Sequence, residues 1–247
     1  ITGEYGFNQM FFDDLFIPYA GVEGGMKQRR FTHLARTNEF IRSNVELNNR
    51  SRYEAHFGIK GTLTSKLRFN IGASFATHRN QALYVNDTVL SSGNQFRVIY
   101  DTVNVSTISG SLSYQQNEKL KIDGIARFHS YQARNNPYAW NLPQFEFIAR
   151  GNYNIADKLL IKLDFTLETG RTAKAFDPDQ EGVMEQDGQL YRPLGVIADA
   201  NIGAEFRYTK RISIFANFNN VAAQRYKRWY GYPVQGFQFM AGATFRF

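Results

Sequence analysis

The chain has 247 residues, 43% hydrophobic and 15% aromatic, with 22 Phe and 14 Tyr against 2 Trp and 6 Pro, and a formal net charge of +7. The aromatic excess favours strands, no apolar run approaches the ~18 residues of a membrane-crossing helix, and zero cysteines exclude disulfides, thiolate metal sites and a Cys nucleophile. The charge would suit nucleic acid only if it formed a basic helix or platform, and no such segment is present, so nucleic acid is not an expected partner.

At the N-terminus there is no Met, basic n-region or apolar h-region, so any export signal is expected to have been removed or to lie upstream. "GEYGFNQMFF" and "PYAGVEGGMK" read as a first strand pair. "RYEAHFGIKGTL", "KLRFNIGASFATH" and "KLKIDGIARFHS" alternate apolar and polar residues. "QFEFIARGNYNI" sets Phe145, Phe147, Ala149, Gly151, Tyr153 and Ile155 against Gln144, Glu146, Arg150, Asn152 and Asn154. "KLLIKLDFTLETG" opposes Leu159, Ile161, Leu163, Phe165 and Leu167 to Lys162, Asp164, Thr166 and Glu168. "LGVIADANIGAEFRY", "RISIFANF" and "GFQFMAGATFRF" continue the pattern to the last residue, Phe247.

These strands run to roughly ten to fifteen residues, against ~5–6 in soluble sheets. They are joined alternately by short, lysine-bearing turns ("TSK", "QNEK", "ADK", "TKR") and by long connections ("HRNQALYVNDTVLSSGNQ", "QARNNPYAWNLP", "GRTAKAFDPDQEGVMEQDGQLYRP", "AAQRYKRWYGYPVQ"). Alternating connections, long strands and small residues on the apolar face (Ala149, Gly151, Ala198, Ala200, Ala204, Ala241, Ala243) point to an all-β, antiparallel, up-and-down transmembrane β-barrel over residues 1–247, with 10–12 strands visible. The competing architecture is a soluble β-sandwich serving adhesion or glycan binding, in which the charged faces would be solvated and the apolar faces packed together.

The final stretch, "FANFNNVAAQRYKRWYGYPVQGFQFMAGATFRF", resembles the C-terminal end of TonB-dependent outer-membrane receptors through Asn220, Val221, Tyr226, Tyr232, Pro233, Gly236 and Phe247. "PYAGVEGGMKQRRF" and "RYEAHFGIKGTL" resemble barrel strands of Bacteroidetes-type receptors. The resemblance implies a bacterial outer-membrane location and uptake of a siderophore, glycan or other ligand too large for porins. A receptor-like barrel without a plug, acting as a passive channel or a structural component of a larger complex, is the alternative within the same class. Outer-membrane lipid and lipopolysaccharide, the assembly machinery reading Phe247, TonB through an N-terminal region, and partner outer-membrane or surface lipoproteins are the implied partners. No plug or TonB box is visible, and an odd strand count leaves the N-terminus outside, so the chain is expected to be the C-terminal part of a larger barrel.

No enzymatic activity and no cofactor are expected. His33, His56, His78 and His129 stand on separate segments without metal-ligand spacing; His78 with Asp87 or Asp101 at the outer rim is the weakest candidate, a protease-like dyad. The basic residues of the long loops, including Arg134, Arg171, Lys174, Arg225, Lys227 and Arg228, are candidates for holding lipopolysaccharide phosphates. Trp140, Trp229, Tyr230 and Tyr232 lie in the same loops and are expected either at the membrane interface or on a ligand. The terminal loop, compacted by Gly231, Pro233 and Gly236, is expected to pack its aromatics on neighbouring loops or at the lipid interface.

Overall fold

A strand with every second side chain apolar has one face suited to hydrocarbon and one suited to water, and tight turns bring each such strand against its sequence neighbour. The computed structural model describes residues 2–9, 15–88, 90–91 and 93–246. Eleven strands form one antiparallel sheet in chain order: β1 (Thr2–Asn8), β2 (Ile17–Lys27), β3 (Arg50–Thr64), β4 (Leu67–Asn86), β5 (Phe96–Gln115), β6 (Leu120–Ala133), β7 (Phe145–Ile155), β8 (Leu159–Thr169), β12 (Ile197–Arg207), β13 (Ile212–Asn219) and β16 (Gln238–Phe245). The long connections carry a short helix, α1 (Phe31–Thr37), a three-stranded sheet of β9 (Thr172–Lys174), β10 (Met184–Gln186) and β11 (Gln189–Pro193), and a small hairpin of β14 (Lys227–Trp229) and β15 (Tyr232–Pro233). Met10, Phe11 and Phe12 of the expected first strand, and Phe247, lie outside the described residues.

The register turns the alternation into two chemically different faces. One row of paired residues runs Phe7, Ala20, Phe57, Ala73, Ile108, Phe128, Phe145, and another Gly151, Leu163, Ile202, Phe218, Phe239. Large and small side chains share each row, smoothing this face. It carries no charge between Leu67 and Phe75 on β4 or between Leu159 and Leu167 on β8. Ile71, Phe75, Ile108 and Phe239 remain 56–65% exposed on it, which is untenable in water for a contiguous apolar surface of this size. The opposite face holds the ion pairs: Arg52 with Glu23 (3.2 Å), Lys121 with Asp123 (3.2 Å), Arg127 with Glu146 (3.6 Å) and Arg150 with Asp164 (3.5 Å).

The sandwich expectation is overturned by this arrangement. A sandwich needs a second sheet over the apolar face, whereas the two buried apolar clusters lie at the rim that bears the long connections. A second departure concerns β4 and β5, which run for 20 residues each. Most of "HRNQALYVNDTVLSSGNQ" was expected to be loop, yet Gln81–Asn86 pairs with Phe96–Asp101 beyond a bulge between His78 and Gln81. The extension is covered by loops on both faces, so it reads as a continuous apolar run, "ALYV", rather than an alternating one.

Candidate functional site

The long-connection rim is knitted together by a few polar side chains. Asn220 adopts φ +48, a left-handed conformation that Asn tolerates better than other residues with a side chain. Its Nδ2 donates to the carbonyls of Gln224 (2.9 Å) and Gln235 (3.1 Å), its Oδ1 accepts the Gln224 N–H (3.0 Å), and its own N–H donates to Asn201 Oδ1 (2.9 Å). One residue thus ties both ends of the terminal loop to β12. The Tyr226 hydroxyl donates to Asp199 Oδ2 (3.0 Å); burial, then the hydrogen bond to this carboxylate, pushes the phenol above its ordinary pKa.

Arg171 is the least expected of these anchors. Counted from sequence among the solvated loop cations, it is 3% exposed, and its guanidinium donates to the carbonyls of Arg228 (2.8 Å), Lys227 (3.0 Å) and Gly195 (3.2 Å). Burial lowers its pKa from the ordinary arginine value, against the opposing pull of Glu168. It therefore clasps the terminal loop to the β8–β12 connection and has no surface left for a lipid phosphate. Nothing in its local sequence distinguishes it from Lys174 or Arg192; the clasp depends on chain segments 24 to 57 residues away.

The aromatics pack within the loops. Trp229, 9% exposed, wedges against Tyr84 and Phe96 with ring centroids 5.2 and 5.6 Å away, and Tyr232 stacks on Phe40 at 3.8 Å and donates its hydroxyl to the Asn94 carbonyl. Arg192 lies 5.5 Å above the ring of Tyr230, whose hydroxyl donates to Gln180. Trp140 is fully buried among Leu83, Val85, Val103 and Val105, with Nε1 donating to Asn136 Oδ1 (3.1 Å). Its ring is enclosed by these side chains. Asp101, 3% exposed, holds the same connection by accepting from the Asn135 backbone (2.9 Å) and the Asn136 amide (2.8 Å). Arg134, Arg225, Lys227 and Arg228 are exposed.

A cavity of about 730 Å³ lies between α1, the terminal loop and the polar face of β12, β13 and β16. Arg36 and Arg228 oppose Glu39 and Asp199 around it, with Asn219, Tyr226 and Gln238 between. Arg228 thus lines a polar chamber rather than the apolar face. A second chamber of about 420 Å³ on the polar face is lined by Arg50, Arg52, Arg127, His78 and His129. The weakest candidate, the protease-like dyad, is not assembled: His78 meets Arg50 (2.7 Å) and Gln81 (3.3 Å), while Asp101 is engaged as above and Asp87 pairs with Arg42.

No family model matches the sequence, and no curated protein matches it. Solved structures do match its fold. The pyoverdine outer membrane receptor FpvA from Pseudomonas aeruginosa PAO1, bound to pyoverdine, superposes with a TM-score of 0.68 at 13% identity over 98% of this chain and 35% of its own. The chain shares the barrel fold of outer-membrane receptors. The copper transporter OprC matches all of this chain and 39% of its own with a TM-score of 0.64 at 13% identity, and the siderophore receptor PirA from Acinetobacter baumannii matches all of it and 41% of its own with 0.68 at 13%. This chain spans only about a third to two fifths of the receptors it matches. In such a barrel the apolar face is the outer wall and the ion-paired face lines the lumen, so both polar chambers lie on the lumen side and the loop anchors stand at one mouth.

Proposed function

We propose that the chain is the C-terminal part of the barrel of a TonB-dependent receptor in a bacterial outer membrane, importing a siderophore, glycan or other ligand too large for porins. The observation that carries this reading is the pairing of an outer wall whose apolar rows carry no charge between Leu67 and Phe75 or between Leu159 and Leu167 with a polar lumen whose mouth is knitted by long loops. A soluble module would leave that wall wet, and a simple pore has no need of so ordered a mouth. Within this reading the assembly machinery engages Phe247, and TonB and surface lipoproteins are partners of the whole receptor. The narrower assignment to Bacteroidetes-type receptors rests on the segments "PYAGVEGGMKQRRF" and "RYEAHFGIKGTL".

The test is uptake by the intact receptor in its own bacterium. Deleting its gene should abolish accumulation of one labelled ferric siderophore or oligosaccharide, and dissipating the proton-motive force should abolish it equally. Accumulation that survives de-energisation would replace this reading with a passive channel. A protein that remains folded and monomeric without detergent would remove the membrane location altogether.

A further inference from the structure

The four short turns repeat one construction that the uptake reading leaves unused. Each ends on a cation immediately before the first outward apolar residue of the next strand: Lys66 before Leu67, Lys119 before Leu120, Lys158 before Leu159 and Arg211 before Ile212. A side-chain acceptor two residues back fixes three of them. Thr64 Oγ1 accepts the Lys66 N–H (3.3 Å), Asn117 Oδ1 that of Lys119 (2.8 Å) and Thr209 Oγ1 that of Arg211 (3.2 Å). The carbonyl of each cation then accepts an N–H from the strand end on its other side: Gln115 onto Lys66 (2.8 Å), Asn154 onto Lys119 (2.7 Å), Arg207 onto Lys158 (2.7 Å) and Arg246 onto Arg211 (2.9 Å). These bonds hold the four backbones at one level of the sheet. Because β4, β6, β8 and β13 are every second strand, the cations stand two strand spacings, ~9–10 Å, apart along the rim.

The charge of this row is not neutralised within the molecule. Lys66, Lys119, Lys158, Lys210, Arg211 and Arg246 are exposed, and no carboxylate lies within ion-pair distance of any of them among the described residues. On the lumen face, by contrast, Arg52, Lys121, Arg127 and Arg150 are each paired with an acid. The turns themselves supply only Glu118 and Asp157 against the six cations.

We propose that this rim binds a hydrated, carboxylate-bearing polymer beneath the barrel, the peptide-bearing glycan of the bacterial cell wall; the proposal rests on the outer-membrane reading, in which short turns face the periplasm. Two observations choose this partner over others. Each of the four cations precedes an outward residue and therefore starts on the lumen side of its strand, whereas the neighbouring outward phase holds Ser65, Glu118, Asp157 and Lys210, a poor row for lipid phosphates. The turns also carry no aliphatic side chain larger than Ala156, and Tyr208 belongs to the outward row of Ile202, Ala204 and Phe206, so the apolar centre that a folded protein partner would need is missing. What the rim offers is spaced positive charge alone, which suits the free carboxylates that recur along the peptide stems of a wall polymer.

The experiment sediments the intact receptor, purified in detergent, with insoluble purified cell walls. The wild type should sediment with them at low ionic strength and be released near 1 M salt, where charges are screened beyond about 3 Å. Lys66→Gln, Lys119→Gln, Lys158→Gln and Arg211→Gln together should weaken binding about tenfold or more, since exposed charges add small, salt-screened increments. Arg79→Gln, Arg97→Gln, Arg134→Gln and Arg225→Gln together remove the same charge from the opposite rim and should leave binding unchanged. Amidating the wall carboxylates tests the wild type without any substitution and should weaken binding as the short-turn variant does. Heat-modifiable gel migration, the same in all three proteins, reports the barrel separately. Ser65→Cys, in a chain with no cysteine of its own, should react with a bulky maleimide only after the outer membrane is permeabilised; reaction in intact cells would defeat the orientation on which the site rests. Equal sedimentation of wild type and short-turn variant, or undiminished binding to amidated walls, would overturn the proposal. Loss of co-purifying phosphatidylglycerol from the variant while wall binding persists would overturn it in favour of lipid phosphates.

Discussion

Replacing Arg171 with methionine keeps most of the side-chain volume and removes the clasp on the terminal loop. Three charged hydrogen bonds of 2.8–3.2 Å are lost, and deletion of one such bond costs about 1.5–3 kcal/mol. Gly195, Lys227 and Arg228 are exposed, so water will rehydrate their carbonyls. The variant is also relieved of a buried guanidinium whose Nε has no partner. A net loss of about 2–4 kcal/mol is the resulting expectation, confined to the loop because no barrel strand depends on the clasp. That corresponds to about 30- to 1000-fold more frequent local opening. Hydrogen exchange of peptides spanning 220–237, followed by mass spectrometry, should accelerate by this factor, while strand peptides from β6–β8 and heat-modifiable migration stay as they are. Unchanged exchange across 220–237 would show that the clasp does not hold the loop and would refute the argument.

Trp140 and Trp229 are both shielded, so native fluorescence should resist acrylamide; Trp229→Ala should cost the loop about 3–5 kcal/mol and raise its proteolytic sensitivity. Asn220→Ala should destabilise the loop more than Asn220→Gly, by about 1–2 kcal/mol, because both lose the amide but only alanine is strained at positive φ; equal exchange rates would count against a conformational role. Leu163→Lys, one residue from the native Lys162, should weaken folding into lipid bilayers by about 2–4 kcal/mol. Asp164→Asn on the lumen face, which removes only an exposed pair with Arg150, should change it by less than about 1 kcal/mol.

The strand faces were legible because alternation is local: each of Phe239, Ala241, Ala243 and Phe245 takes its side from its own position in the strand, and pairing only had to preserve it. The alternation of short and long connections likewise predicted nearest-neighbour order. What escaped was whatever depends on loop meeting loop. The β4–β5 extension carries no alternation because α1 and Trp229 cover one side and Trp140 the other. Asn220 stood out in the sequence as part of a terminal pattern, but its work as a hub between Gln224, Gln235 and Asn201 follows from a backbone conformation that sequence does not display. Arg171 could not be told from its solvated neighbours, since a buried arginine and an exposed one are written with the same letter.

That ambiguity bears on how the +7 charge is to be understood. Arg52 faces the lumen and is neutralised there by Glu23 and Glu54; Arg171 is buried among carbonyls; Arg79 stands on the outer wall over a tyrosine. A single shift of pairing register would exchange the surroundings of Arg52 and Arg79, placing a paired cation in lipid and a bare one in the lumen. The apolar rows below forbid that shift, because it would turn Phe57, Ile71 and Ile108 into the lumen at the same stroke. The hydrophobic pattern of the wall therefore fixes which arginines face the lumen and which stand outside it.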